Sequence, residues 1–184
     1  MFEGPGPRPR VAWVYVEASY AERIAIQAAA ITRGLRQLVR LSVLNTGPAS
    51  LGINQRGHWS LDFAAQVAKV PYTTIRPAIF SASMLAGAAE IRKTRTWTGL
   101  ASTGRVALSD HQDVADAVVR VLADPSTWGL HHDLTGPRQV SWPEALQVLS
   151  AELGETVTFR TTGATKWSGS SYRPGWHRGR QSYW

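Results

Sequence analysis

The run Val70-Pro71-Tyr72-Thr73-Thr74-Ile75-Arg76-Pro77-Ala78-Ile79-Phe80 constrains this chain more than any other stretch. Thr, Tyr and Ile suit a pleated, half-buried surface, so the run predicts an internal β-strand. Proline has no N–H to donate, so regular laddering should stop at Pro77 and the chain should leave the sheet there as a loop. An amphipathic helical pattern lies directly before the run, which makes it part of an alternating α/β arrangement. In open α/β sheets, ligands bind just beyond the carboxyl ends of the strands. The stretch from Arg76 to Phe80 is therefore a candidate ligand contact.

The rest of the chain alternates in the same way. Val11 to Val16 reads as a short buried strand, and Tyr20 to Thr32 as a helix with Ile24, Ala28 and Ile31 on one face and Gly34 as its stop. Leu38 to Ser42 reads as the next strand, and the order strand, helix, strand implies a right-handed parallel crossover. Asn45 to Gln55, with Gly47, Pro48 and Gly52, is a loop on the presumed ligand side. A helix follows from Gly57 or His58 to Lys69. Trp59, Phe63 and Val67 fall on one face that should pack on the sheet, whereas His58 and Asp62 share another face, one turn apart. His58 could also cap the helix or pair with Asp62 at the surface.

Beyond Phe80, Ser83 to Ala86 reads as a short helix, Arg92 to Gly99 as a polar run, and Gly104 to Ser109 as a strand. Asp110 can cap the next helix, whose buried stripe should be Val114, Val118, Val121 and Leu122. His131, His132 and Asp133 stand in a row. Strand neighbours point to opposite faces, so only His131 and Asp133 share a side, and without further convergent ligands no metal site is expected. Ser141-Trp142-Pro143-Glu144 supplies a capping box for a helix with Leu146, Leu149 and Leu153 on its apolar face, stopped by Gly154. Thr156 to Phe159 reads as a final strand. The pattern describes part of a doubly wound parallel α/β sheet with flanking helices.

Composition narrows the class. A chain of 184 residues with 43% hydrophobic content can bury one core. Its lack of cysteine excludes disulfides, thiolate nucleophiles and cysteine-bound metals. No apolar run reaches the roughly 18–20 residues of a membrane helix, and the N-terminus lacks the apolar core of a secretion signal. A soluble, cytoplasmic protein is the expectation. The net charge is +7, but four of the 20 basic residues (Lys166, Arg173, Arg178 and Arg180) lie after Thr161, where there is no acid. The body therefore carries sixteen basic against thirteen acidic residues. A basic, Trp-bearing tail suits phosphate neutralisation and base stacking. Without a folded basic face, nucleic acid is a disfavoured partner. A reading-frame change would also produce such a tail. The expected organisation is an irregular arm over 1–10, a domain over 11–160 and an irregular basic tail over 161–184.

Three motifs occur in order: Tyr72-Thr73-x-x-Arg76-Pro77-x-x-Phe80 followed by Met84-Leu85, then Asp113-Val114-Ala115 after a strand, then Leu134-Thr135-Gly136-Pro137. Together they resemble the NmrA-like branch of the atypical short-chain dehydrogenase/reductases, NAD(P)-binding Rossmann-like proteins, over roughly Val11 to Arg160. The resemblance implies hydride transfer from NAD(P)H to a small quinone or carbonyl acceptor. It assigns Ser42, Arg76, Pro77, Ala78, Ile79 and Phe80 to the cofactor, and Met84 and Trp97 to the substrate pocket. The place of the usual Tyr-x-x-x-Lys pair is held by His58-x-x-x-Asp62, the candidate catalytic residues, with His58 as proton donor.

The Gly-x-x-Gly-x-x-Gly turn that holds the cofactor's pyrophosphate in that family has no counterpart, since Gly4-Pro5-Gly6-Pro7 follows no strand and its prolines lack donors. The expectation is that the family's first strands and helices are missing, with Val11 to Val16 matching the fourth strand and phosphate affinity sharply reduced. The alternative is a non-catalytic truncated homologue, regulatory or inactive. An exposed sheet edge would favour a homo-oligomer.

Overall fold

The computed structural model describes residues 11–14, 20–32, 35, 37–69, 71–101 and 103–162. The expected arm, the end of the first strand at Tyr15 and Val16, the stop at Gly34 and nearly all of the tail lie outside the described residues. In chain order the elements are β1 (Val11–Val14), α1 (Tyr20–Thr32), β2 (Gln37–Leu41), α2 (Ile53–Val67), β3 (Tyr72–Pro77), α3 (Ala88–Thr94), β4 (Thr96–Gly99), β5 (Arg105–Val106), α4 (His111–Ala123), β6 (His131–Leu134), β7 (Val140–Ser141), α5 (Trp142–Leu153) and β8 (Thr158–Thr161). They form two compact units: Met1–Ser81 with Ala107–Gln139, and Ala82–Val106 with Val140–Trp184.

The first unit is built on a four-stranded sheet of order β1-β2-β3-β6, with every pair parallel. Parallel sheets need cover on both faces, and the alternation of side chains along β2 and β3 assigns each face its cover. Val39 and Ile75 join Val114, Val118 and Val121 of α4 in one buried apolar cluster, against which Leu41, Phe80, Leu122, Trp128 and Leu134 pack. The expected stripe of α4 is thus its buried face. Asp110 caps this helix by accepting from the N–H of Gln112 at 2.7 Å.

The opposite face departs from the apolar-stripe reading. Helix α2 buries His58, Leu61, Asp62 and Ala65. Trp59, Phe63 and Val67, expected against the sheet, turn outward: Phe63 is 48% and Val67 63% exposed, and the rings of Trp59 and Phe63 stack at 5.2 Å. The reason lies in β2, where Arg40 is buried. A buried guanidinium requires a partner, and the helix rotates its polar face inward to supply one. The helix also begins at Ile53, earlier than expected, because Gly52 takes up the extended N-cap conformation. In α1, Ile24 is 54% exposed while Gln27 is buried and donates to the carbonyl of Leu61 at 2.7 Å. Ile24 and Ala28 of the predicted apolar face are therefore exposed, and Gln27 makes the inward contact.

Strand β3 runs through Pro77. The Pro77 carbonyl accepts from Leu44 N–H at 3.0 Å, and Ala78 N–H donates to Leu134 O at 2.9 Å. Beyond it the backbone of Ile79 and Ser81 bonds to Ser109, with both distances 2.9 Å.

In the second unit, β4 and β8 pair in parallel and β5 and β7 antiparallel. Ile91, Leu146 and Val157 form the buried cluster, with Met84, Trp97, Leu149 and Phe159 packed on it. The capping box of α5 is present: Glu144 N–H donates to Ser141 Oγ at 3.3 Å, and Ser141 N–H donates back to Glu144 Oε2 at 2.7 Å. Gly154 ends the helix at φ 65°, a left-handed conformation that favours glycine. Leu153, expected on the apolar face, is exposed. The polar run from Arg92 to Gly99 ends α3 and forms β4.

Candidate functional site

The carboxyl ends of β2 and β3 lie side by side, with Leu41 in register with Ile75 and Ser42 N–H donating to Ile75 O at 2.8 Å. Arg40, Ser42 and Arg76 alternate onto the face covered by α2, and there they meet Asp62. Arg40 donates to Asp62 Oδ1 from Nε at 2.9 Å and from Nη2 at 2.5 Å. It also donates to the carbonyls of His58 at 2.7 Å and Leu41 at 3.1 Å. Ser42 Oγ donates to Asp62 Oδ2 at 3.1 Å, and its hydroxyl lies 3.5 Å from that of Thr46. Arg76 Nη2 stands 3.9 Å from Asp62 Oδ2.

His58 is 7% exposed. Neither alternative reading of it holds: it sits inside α2 rather than at its start, and Arg40 stands between it and Asp62. Its Nδ1 lies 3.3 Å from Arg40 Nη1, and its Nε2 lies 3.3 Å from Arg23 Nη1. Burial first, and then the positive charges of Arg40 and Arg23, lower its pKa to about 4. At neutral pH the imidazole is uncharged. A neutral ring has one acceptor and one N–H, so it accepts from only one of its two guanidinium neighbours. Burial likewise lowers the pKa of Arg40, against the opposing pull of Asp62.

The structure therefore brings together His58, Asp62, Ser42 and Arg76, with Pro77, Ala78, Ile79 and Phe80 continuing from the same strand end. Ile79 is half exposed. Phe80 packs on the core of its unit, and its ring stacks on His111 at 4.2 Å. Met84 and Trp97 belong to the apolar cluster of the second unit, where Trp97 meets Trp142 edge-on at 4.9 Å and Phe159 at 6.1 Å. His131 and Asp133 are both exposed on one side of β6, and His131 Nδ1 lies 2.7 Å from Thr74 Oγ1. Arg40 and Arg23 were missed by motif reading. For Arg40 a signal existed: a charge inside the otherwise apolar Leu38-Val39-Arg40-Leu41 almost always has a buried partner.

No known family profile matches the chain. The uncharacterized oxidoreductase YesF of Bacillus subtilis is 30% identical over 88 residues, which are 47% of this chain and 31% of that protein. Among solved structures, a nucleoside-diphosphate-sugar epimerase from Staphylococcus aureus superposes with a TM-score of 0.75 at 17% identity, covering 89% of this chain and 60% of that one. An NADPH-dependent quinone oxidoreductase from Escherichia coli, solved with NADPH, gives 0.77 at 19% identity, covering 90% and 59%. The chain thus spans about a third of its curated relative and about three fifths of these structures. The fold is the Rossmann-like parallel α/β fold seen in these epimerase and reductase structures. No helix of the described residues is long and apolar enough to cross a membrane.

Proposed function

We propose that this chain is an NAD(P)-binding, oxidoreductase-like protein of the NmrA type that promotes hydride transfer to a small quinone or carbonyl acceptor. One observation carries the reading: in a fold shared with NAD(P)-dependent reductases, two adjacent parallel strands end together, and a buried charged network lies directly beneath those ends. Ligands of open α/β sheets bind at such strand ends. The residues there suit a nicotinamide ring, because half-exposed Ile79 offers apolar surface beside the backbone of Ala78 and Phe80. The bound dinucleotide would supply the hydride.

The chain's own residues orient and polarise. Asp62, fixed by Arg40 and Ser42, ties the carboxyl end of β2 to α2. His58 acts as a neutral imidazole: Nδ1 accepts from the more deeply buried Arg40, which leaves the proton on Nε2, and this N–H meets an acceptor oxygen once Arg23 Nη1, 3.3 Å away, moves aside. Neutral histidine can polarise a carbonyl in this way without an imidazolium. Ser42, and the backbone from Arg76 to Phe80, line the cofactor side, and a substrate-lining role for Met84 and Trp97 belongs to the same proposal. The domain over 11–160, a cytoplasmic location and association through the edges of the parallel sheet are parts of it too.

Calorimetric titration with NADPH and NADH tests this reading. Saturable heat from either dinucleotide is the expected result, and no heat at millimolar cofactor rejects it. A non-catalytic homologue is the second reading. It is favoured by the burial of His58, Asp62 and Ser42: Ser42 and Asp62 are engaged with each other, and the ring nitrogens of His58 lie against Arg40 and Arg23. Saturable cofactor binding with no turnover of any quinone or carbonyl acceptor would select it.

A further inference from the structure

Arg76 differs from every other charged group in the cluster. Asp62 has its acceptor capacity largely taken: Oδ1 receives two bonds from Arg40, and Oδ2 receives the Ser42 hydroxyl. Arg76 is left with a 3.9 Å contact to Oδ2, beyond hydrogen-bond range. Its Nε is buried and without a partner among the described residues. Asp133 is its register neighbour on β6, yet no ion pair within 4.0 Å joins the two. About a fifth of the Arg76 side chain remains open to solvent. A guanidinium carries five N–H donors in a fixed planar fork, and leaving buried donors unmade is costly.

We propose that the Arg76 guanidinium is the anchor for an oxyanion, a carboxylate or phosphate group on the ligand that enters at the carboxyl end of β3. The planar fork matches two-point recognition of such a group. Arg40 makes this possible by occupying Asp62, which would otherwise neutralise Arg76. Pro77, next in sequence, is the last residue of β3, so the anchor sits one residue from the strand's carboxyl end. The inference deepens the proposed function by naming a chemical group the ligand should carry. It assigns the role to the side chain of Arg76 rather than to its backbone.

The test is an NMR titration of the full chain labelled with 15N-arginine, following the Nε–H signals, with inorganic phosphate and acetate as probes and chloride at matched ionic strength as control. The Arg76 signal should shift saturably with one or both oxyanions and only linearly with chloride. Acetate alone would identify a carboxylate-bearing substrate, and phosphate alone a phosphate group. Arg76→Lys keeps the charge but loses the fork, so affinity, read in both proteins from the backbone amides of Ala78 and Ile79, should fall tenfold or more while the signals of Arg40 stay in place. If neither oxyanion shifts Arg76 beyond the chloride control, the proposal is overturned. The outcome is independent of the cofactor titration: cofactor heat without an anion shift rejects the anchor alone, and an anion shift without cofactor heat rejects the oxidoreductase reading alone.

Discussion

Asp62→Asn removes one charge from the centre of the site and almost nothing else. Arg40 is 3% exposed and Asp62 5%, so the change strands a guanidinium that water cannot easily reach. The asparagine side chain keeps one acceptor oxygen, but its NH2 group faces donors from Arg40 or Ser42. Removing one partner of a buried ion pair costs about 3–5 kcal/mol, a large share of the ~5–15 kcal/mol that holds a whole domain together. With a urea slope of about 2 kcal/mol/M, the midpoint should fall by roughly 2 M. Urea titration followed through the amide signals of β2 and β3 reads this directly. The double variant Arg40→Met/Asp62→Leu removes both charges, and replacing a buried pair by apolar groups is often neutral. It removes the Asp62 bond of the Ser42 hydroxyl and the Arg40 bonds to the carbonyls of His58 and Leu41, at about 1–3 kcal/mol. Its stability should therefore fall between wild type and the single variant. The argument fails if Asp62→Asn stays within about 1 kcal/mol of wild type, or if the double variant is the less stable of the two.

Three further outcomes follow from the same structure. The pKa of His58, held at about 4 in the folded chain against about 6.5 unfolded, makes the unfolded state bind more protons between those values. Its stabilising contribution is full above pH 6.5 and is lost as pH falls toward 4, about 3 kcal/mol in all at 1.36 kcal/mol per unit. Ring-proton NMR should show no His58 protonation above about pH 5, and a midpoint near 6.5 would contradict the Arg23–His58–Arg40 arrangement. A Cβ at Gly136 would meet the Leu108 carbonyl oxygen at 2.2 Å, and backbone cannot step aside as a side chain can. Gly136→Ala should lower the urea midpoint of the first unit by the equivalent of about 1–3 kcal/mol, and an unchanged midpoint counts against the packing of Leu134 to Pro137 on the Leu108 segment. Ser141→Ala breaks the capping box of α5 and should cost about 1 kcal/mol in thermal unfolding of the second unit; no loss would mean that the box contributes nothing there.

Local chemistry explains what could be read from the chain before its structure. The valine stripe of α4 is legible because its neighbours on the sheet, Val39 and Ile75, are apolar, so periodicity and burial agree. The Ser141–Glu144 box and the Gly154 stop are legible because capping is decided within a few residues. In α2 periodicity misleads. Trp59, Phe63 and Val67 form the more apolar stripe, but Arg40 lies 22 positions before Asp62, and no window of helical length contains both. The same separation hides the site's organisation. Motif order identifies His58, Asp62, Ser42 and Arg76, while the residue that joins two of them, His58 and Asp62, is Arg40, which belongs to no motif. The protonation of His58 was likewise out of reach, since two guanidinium groups from different elements set it.

The central claim is that a dinucleotide binds at the carboxyl ends of β2 and β3. The most direct measurement is backbone amide NMR of the chain during titration with NADPH and then NADH. Saturable shifts concentrated at Ser42, Ala78, Ile79 and Phe80 are the predicted result. Spectra unmoved at millimolar dinucleotide, or shifts confined to residues away from those strand ends, would contradict it.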